Sequence, residues 1–296
     1  MRGIYGMQES DSGVKAAWPK VSHPYRILYP KPGLTRMDVL GYYAEVAPYL
    51  LRLAKGRAIT VKRWPHGVDG TMFYQKHPPE GGPILVEDLP SLLTWVAQGA
   101  LEFHAPLGHV DQPLQHDWAI LDLDPNPPAG WESVMAVARV FRSLLDLLEI
   151  PFLLKTSGQR GLHFYIAIEP LDHREVMAIM GRLSEMICQT VPELATLERL
   201  KRDRGNRVYL DYLQNGYQRT TVLAYSLRAT PNATISTPIR WEDLATPADG
   251  WTMERVRAHL GRHGNLFEWQ GPRVDLEGVA RRHGLRAQER RMPSDR

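Results

Sequence analysis

Cysteine is all but missing from this chain. Cys188 is the only one among 296 residues, which excludes an internal disulfide and any cysteine-rich zinc site. Set in the helix-like stretch GRLSEMICQTV, it is expected to pack internally. No apolar run approaches the roughly 20 residues that cross a bilayer. The opening MRGIYGMQESDSGVK has no apolar core of a signal peptide, so a cytoplasmic protein without a membrane partner is expected. Internal repeats and low-complexity segments are also missing, which removes solenoid and fibrous architectures. Neither sign of charge dominates: 36 Lys and Arg against 33 Asp and Glu give a net +3, which permits a polyanionic partner without requiring one. With 43% hydrophobic and 23% charged residues, what remains is an ordinary globular composition with enough apolar material for one large core or two small ones.

The distribution of charge says more than its sum. Basic residues gather at Lys62 and Arg63, from Lys201 to Arg207, and from Arg281 to Arg291. Each cluster lies beside turn-like or helix-end sequence, where it could follow a phosphate backbone or simply be solvated. Residues 1–21 read as a polar leader and HPYRILYP as a short strand or extended arm. Thr35, three residues before Asp38, resembles a capping box, and DVLGYYAEVAPYLLRLA then places Val39, Tyr42, Tyr43, Val46 and Leu50 at helical spacing. Pro48 is expected to kink or divide that helix. AITVKRW and TMFYQKH read as strands, SLLTWVAQGA as a helix. From Leu101 the order is LEFHA and WAILDLD as strands, WESVMAVARVFRSLLDLL as a helix, FLLKTS and HFYIAIE as strands, and REVMAIMGRLSEMICQTV as a helix. VYLDYLQN and TTVLAYSLR follow as further strands. An α+β architecture follows, with helices on one face of a sheet.

The run DLDP carries the first chemical signal. Asp122 and Asp124 lie two apart on a strand, so both carboxylates leave one face while Ala119, Leu121 and Leu123 leave the other. Carboxylates roughly 6.5 to 7 Å apart along a strand can converge on cations about 3.5 to 4 Å apart, the separation used in two-metal phosphoryl transfer. The bland alternative is that one Asp only caps the turn announced by Pro125, Asn126, Pro127 and Pro128. Asp211, inside the apolar run VYLDYLQN, is the natural third carboxylate, since an isolated buried acid is costly. In KTSGQRGLH, Ser157, Gly158 and Gly161 form a tight loop whose N–H groups can approach phosphate, with Arg160 supplying charge and His163 at its mouth. Taken alone, a Gly-rich turn between strands is usually only a turn.

Together, LEFH, DLDP, KTSGxxGLH, YLDYLQN and YSLRATPNATISTPIRWEDL resemble the polymerase domain of bacterial ligase D, in the archaeo-eukaryotic primase superfamily. GRAITVKRWPHGVDGTMFYQKHPP is similar to that family's N-terminal lobe, and the resemblance runs from about Tyr25 to Glu242. It implies a primase-polymerase fold with an RRM-like catalytic sheet and flanking helices fused to a β-rich N-terminal lobe. The expected layout is a leader over 1–21, an N-terminal lobe near 22–100, a catalytic lobe near 101–275 and a basic tail over 276–296.

The resemblance also implies gap filling and end extension in non-homologous end joining, with manganese or magnesium as a pair of ions and a preference for ribonucleotides. Asp122, Asp124 and Asp211 correspond to metal ligands, and Asp211 also to the group that accepts or orients the primer 3′-hydroxyl proton. Ser157, Arg160, His163 and Arg228 correspond to a triphosphate pocket, His104 to a group near the incoming sugar and phosphate, Lys62 to a nucleotide contact, and Phe73 or Tyr74 to a ring under the base. Arg63, Arg202 and Arg204 are assigned to the DNA backbone.

Arg26 and Arg36 stand where the family commonly has lysines for the 5′-phosphate of a gap, and arginine keeps that charge. Arg160 likewise stands where lysine is frequent, and NGYQRTT departs from the family's loop after Asp211, leaving Gln218 and Arg219 without a role. Implied partners are 5′-phosphorylated DNA, NTP or dNTP, Ku and an ATP-dependent ligase, with a nucleoid-associated location. No nucleotide-binding lysine motif of such a ligase follows Trp241, so ligation is expected from another chain or segment. Two other readings compete: a non-catalytic module that binds and bridges 5′-phosphorylated ends, and a metal-dependent nuclease, against which the triphosphate residues argue.

Overall fold

Alternation along residues 115–125 sets the architecture. In the computed structural model, which describes residues 18–285, Ala119, Leu121 and Leu123 are fully buried on one face of that strand, while Asp122 and Asp124 are only half-buried on the other. In chain order the elements are β1 (Ile27–Tyr29), β2 (Leu34–Thr35), α1 (Arg36–Ala54), β3 (Thr60–Arg63), β4 (Phe73–Gln75), α2 (Leu89–Ala97), β5 (Ala100–Ala105) and β6 (Gln115–Pro125). They continue with α3 (Trp131–Leu147), β7 (Leu153–Thr156), β8 (Leu162–Asp172), α4 (His173–Thr190), β9 (Ala195–Thr196), β10 (Val208–Asp211), β11 (Thr221–Val222), β12 (Pro238–Ile239), α5 (Met253–His263) and α6 (Leu276–His283).

The run β6-α3-β7-β8-α4-β10 is a βαββαβ unit. Its strands lie in the order β12-β7-β8-β6-β10-β9, antiparallel except for β10 beside β9. This is the RRM-like sheet. Phe164 pairs with Leu121 across β8 and β6 and meets Phe141 of α3 edge-on at 4.8 Å, so α3 covers the apolar face. Helix α4 contacts both α3 and β6. The other face, carrying Asp122, is left open for chemistry.

A second sheet, in the order β11-β5-β3-β4, forms the other wall. Strand β5, expected with the catalytic lobe, pairs with β3 and therefore belongs to this N-terminal sheet. TTVLAYSLR contributes only Thr221 and Val222 as strand, because Tyr225 takes a positive φ of 67° that breaks the extended run. VYLDYLQN also stops short: the strand ends at Asp211 and Tyr212–Asn215 turn into a 3-10 helix. The Thr35–Asp38 capping box forms. Pro48, expected to kink or divide the helix, does not divide it: it sits inside an unbroken α1 of 19 residues, whose buried face outweighs the one backbone bond that proline forfeits. Cys188 is half-buried against the core. Of the leader and the basic tail, residues 1–17 and 286–296 lie outside the described residues.

Buried tyrosines fix the segment that enters the cleft. Tyr29 donates to the carbonyl of Arg228 (3.0 Å), Tyr42 to that of Tyr225 (2.8 Å) and Tyr43 to that of Leu101 (2.6 Å). Tyr43 also accepts from the Leu227 N–H at 3.0 Å. On the far side, Arg57, just past α1, donates to Asp117 of β6 and to the Leu107 carbonyl, both at 2.5 Å, and so clamps the two sheets together.

Two stability predictions follow from these contacts. Tyr43→Phe leaves the Leu101 carbonyl and the Leu227 N–H without their partner, and should cost about 1 to 3 kcal/mol in urea denaturation; an unchanged midpoint would refute the anchoring role. Burial raises the Asp117 carboxyl, but His109 and Arg57 outweigh it and hold it at about 2. Its contribution to folding is therefore fully present above the ordinary carboxylate value near 4 and is lost as pH falls toward 2. Asp117→Asn should flatten that acid limb of the stability curve, and an unaltered limb would contradict the clamp.

Candidate active site

Register decides which side chains meet. Directly opposed residues run across the sheet as Lys155 on β7, His163 on β8, Asp122 on β6 and Asp211 on β10, so all four project from the open face. Lys155 Nζ lies 2.9 Å from His163 Nδ1 and donates to Ser236 Oγ at 2.8 Å. His163 Nε2 lies 3.3 Å from Asp122 Oδ1. Because the Asp122 carboxylate can only accept, His163 presents Nε2–H to it and turns its Nδ1 lone pair toward Lys155. Burial pushes Asp122 up, but His163, Lys155 and Arg228 outweigh it and hold the carboxylate below its usual range. Burial, with repulsion from Arg228, lowers Lys155 well below an ordinary lysine against the pull of Asp122.

The other two carboxylates shift the opposite way. Burial, followed by repulsion from Asp122, raises both Asp124 and Asp211. Asp124 is held by Arg204 at 3.2 Å, and Asp211 by Gln214 at 2.8 Å and the Tyr209 hydroxyl at 3.3 Å. Among the described residues, no three His, Cys, Asp or Glu side chains already converge as a cage for a metal. The donor set is nonetheless all hard oxygen, and the repulsion that raises Asp124 and Asp211 is what a divalent cation would relieve.

Beside this row lies a cavity of about 240 Å³ lined by His104, Asp122, Asp124, Ser157, Arg160, His163 and Arg228, among others. Its floor is the loop at 157–161. Ser157 Oγ accepts from the N–H groups of Gln159 (3.2 Å) and Gly161 (2.9 Å). Gly158 has φ +69°, and a Cβ there would come within 2.7 Å of the Ile235 carbonyl carbon and 2.8 Å of the Ser236 nitrogen. The structure therefore brings Asp122 and Asp124 together with Ser157, Arg160, His163, Arg228 and His104 in one cavity, and sets Asp211 across the sheet from Asp122.

Lys62 reaches the same region through a residue that sequence reasoning missed. Glu102, in LEFH, is buried and pairs with His104, Arg228 and Lys62. The signal was present, as an acid between the apolar Leu101 and Phe103 of a buried strand. Lys155, in LKTSG, was missed for the same reason. Phe73 and Tyr74 stand half exposed on β4, with Tyr74 opposite Lys62.

Arg26 and Arg36 meet in a separate cavity of about 530 Å³, and Arg63, expected on the DNA backbone, lines it as well, with Lys20, His23 and His66. Among the described residues, no acidic side chain lines this cavity. Arg36 is buried, donates to the Ser22 and Pro65 carbonyls and leaves Nε without a partner. Burial and the charge of Arg26 lower it, a tension that an anion would relieve. Arg204 corrects its expectation of a DNA-backbone contact: it is buried against Asp124, with its guanidinium 3.9 Å from the Tyr209 ring centre. Arg202 remains exposed on the surface. Gln218 lines a third cavity, of about 270 Å³, and Arg219 a fourth, of about 180 Å³, beside Asp211.

Comparison with known proteins agrees with this geometry. The family profile described as LigD, primase-polymerase domain, matches residues 35–267. The chain is 31% identical over 269 residues to the multifunctional non-homologous end joining protein LigD of Mycolicibacterium smegmatis, and 34% identical over 262 residues to the bifunctional non-homologous end joining protein LigD of Bacillus subtilis. These alignments cover 84% and 82% of this chain but only 35% and 42% of those proteins. The polymerase domain of Mycobacterium tuberculosis ligase D, solved in complex with DNA, matches with a TM-score of 0.79 at 30% identity, over 84% of this chain and 96% of that one. The architecture is thus a primase-polymerase fold.

Gly158→Ala tests the loop. The added methyl must displace the backbone at 235–236 and strain a left-handed residue, so both the melting temperature and the affinity for inorganic triphosphate, read by calorimetry, should fall. Unchanged affinity would show that the loop does not shape an anion site.

Proposed function

Because the chain belongs to the LigD primase-polymerase domain family, whose members are metal-dependent nucleotidyltransferases, we propose that it fills gaps and extends DNA ends in non-homologous end joining, with ribonucleotides as its preferred substrates. The observation that carries this reading is the cross-sheet row Lys155, His163, Asp122 and Asp211, of which Asp122 and His163 line one cavity with Ser157, Arg160 and Gly161. It joins a carboxylate centre to an anion cradle, which suits polymerisation better than hydrolysis of a phosphodiester.

In the proposed reaction the primer 3′-hydroxyl oxygen bonds to the α-phosphorus, the bond to the β-phosphate oxygen breaks, and pyrophosphate leaves. Two divalent ions, manganese or magnesium, held by Asp122, Asp124 and Asp211, would supply Lewis-acid stabilisation of the attacking and leaving oxygens. Asp211 accepts or orients the hydroxyl proton, a task suited to a carboxylate whose proton affinity burial has raised. Ser157, Arg160 and Arg228 bind the triphosphate, and His163 holds Asp122 in place. Lys62 contacts the nucleotide, and Phe73 or Tyr74 supports its base. The cavity of Arg26, Arg36 and Arg63 takes the 5′-phosphate of the gap, with Arg202 on the flanking backbone. Ku and an ATP-dependent ligase are the proposed partners, in a cytoplasmic, nucleoid-associated setting.

Primer extension on gapped, 5′-phosphorylated DNA with manganese tests the proposal. Asp122→Ala should abolish templated incorporation while keeping its fold and its preference for the 5′-phosphate, and wild type should favour NTP over dNTP. Arg26→Ala should weaken that phosphate preference roughly tenfold, the scale of a charge-assisted hydrogen bond. Full activity in Asp122→Ala would sink the assignment. Phosphate-dependent binding without any incorporation by wild type would leave the end-bridging role instead.

A further inference from the structure

We infer that Glu102 is the positioning residue of the nucleotide pocket: its buried carboxylate holds His104 in the tautomer that turns an Nδ1 lone pair to the cleft, so that His104 accepts from a sugar hydroxyl of the incoming nucleotide. The inference rests on reading this cleft as a polymerase site.

Glu102 is the hub of the N-terminal sheet's contribution to the cleft. Its side chain is 3% exposed, yet it faces His104 Nε2 at 2.9 Å, Arg228 Nε at 3.2 Å and Lys62 Nζ at 3.4 Å, and accepts from the Ala229 N–H at 3.0 Å. Burial raises this carboxyl, but His104, Arg228 and Lys62 outweigh it and keep it ionised. An ionised carboxylate can only accept, so the ring nitrogen facing it must carry a hydrogen, and His104 is protonated at Nε2. Burial pushes His104 down to about 4 against the pull of Glu102, which leaves the imidazole neutral near pH 7 and its Nδ1 a lone-pair acceptor.

That Nδ1 has no hydrogen-bond partner among the described residues, and His104 lines the cleft. Phosphate oxygens are themselves acceptors and cannot satisfy it. A donor can, and among the donors of a nucleotide the sugar hydroxyls, rather than the N–H groups of the base, lie nearest the phosphates, whose proposed loop lines the same cavity as His104. The same carboxylate orients Arg228, whose Nη1 donates to the Ser157 carbonyl at 2.6 Å and so ties the hub to the phosphate loop. It also offsets the mutual repulsion of Lys62 and Arg228, which face it from β3 and from the segment after β11. Glu102 thus acts through its partners rather than on the substrate.

Two measurements test this. The first is ring-nitrogen NMR of wild type, with His104→Ala providing the assignment. A hydrogen on Nε2 and a bare Nδ1 are expected, and protonation at Nδ1 overturns the inference whether or not any Glu102 variant folds. The second is single-nucleotide incorporation by Glu102→Gln, His104→Ala and the double variant. For Glu102→Gln, KM for NTP should rise roughly 10- to 100-fold, the scale of lost charge-assisted hydrogen bonds, with a smaller fall in kcat. Adding His104→Ala should cost little more, since the two act as a unit. An unchanged KM, or independent and additive losses, in an active enzyme defeats the positioning role alone. A wild type that incorporates nothing defeats the polymerase reading and the sugar contact with it, whatever tautomer the ring adopts.

Discussion

The strand register across β8, β6 and β10 is the constraint on which the rest depends. It sets His163 beside Asp122 and Asp122 beside Asp211. A slip of one residue in either ladder would turn a member of the row into the helix-covered face. That face is fully apolar at Ala119, Leu121 and Leu123, so burial itself pins the register. The chemistry is thereby carried by the same hydrophobic packing that stabilises the sheet. Its electrostatic cost is limited because Lys155 and His163 sit on one side of Asp122 as donors, while the unrelieved repulsion falls on Asp124 and Asp211.

The second wall of the cleft is assembled by long-range contacts. Strand β5 delivers Glu102 and His104, β3 delivers Lys62, and the segment after β11 returns to deliver Arg228. Tyrosines from β1 and α1 hold that returning segment by its backbone. Stability and site geometry are therefore coupled through α1, although no residue of α1 lines the catalytic cavity. The basic cavity at Arg26, Arg36 and Arg63 uses the beginning of the same helix, so both proposed DNA and nucleotide contacts are referenced to one rigid element.

Much of this was legible in the sequence because it is local. The period of two in WAILDLD announced Asp122 and Asp124 on one face, Gly158 and Gly161 announced the tight loop, and Thr35 with Asp38 announced the start of α1. What stayed hidden depends on pairing between distant segments. Nothing in LEFH says that its strand joins β3 rather than β6, nor that Glu102 would gather cations from three elements. Arg204 was assigned to the DNA backbone because its partners, Asp124 and Tyr209, come together only when β10 docks on β6. Of the kink or division expected at Pro48, the division does not occur, for the converse reason: tertiary burial of Tyr42, Tyr43, Val46 and Leu50 overrides a local penalty.

The central claim is that the three aspartates form a two-cation centre for nucleotidyl transfer. The most direct measurement is an anomalous difference map at the manganese edge from crystals grown with manganese and a non-hydrolysable NTP. The account predicts two peaks about 3.5 to 4 Å apart among Asp122, Asp124 and Asp211, with Arg204 displaced from Asp124. A map with nucleotide bound but no manganese at these carboxylates would contradict it.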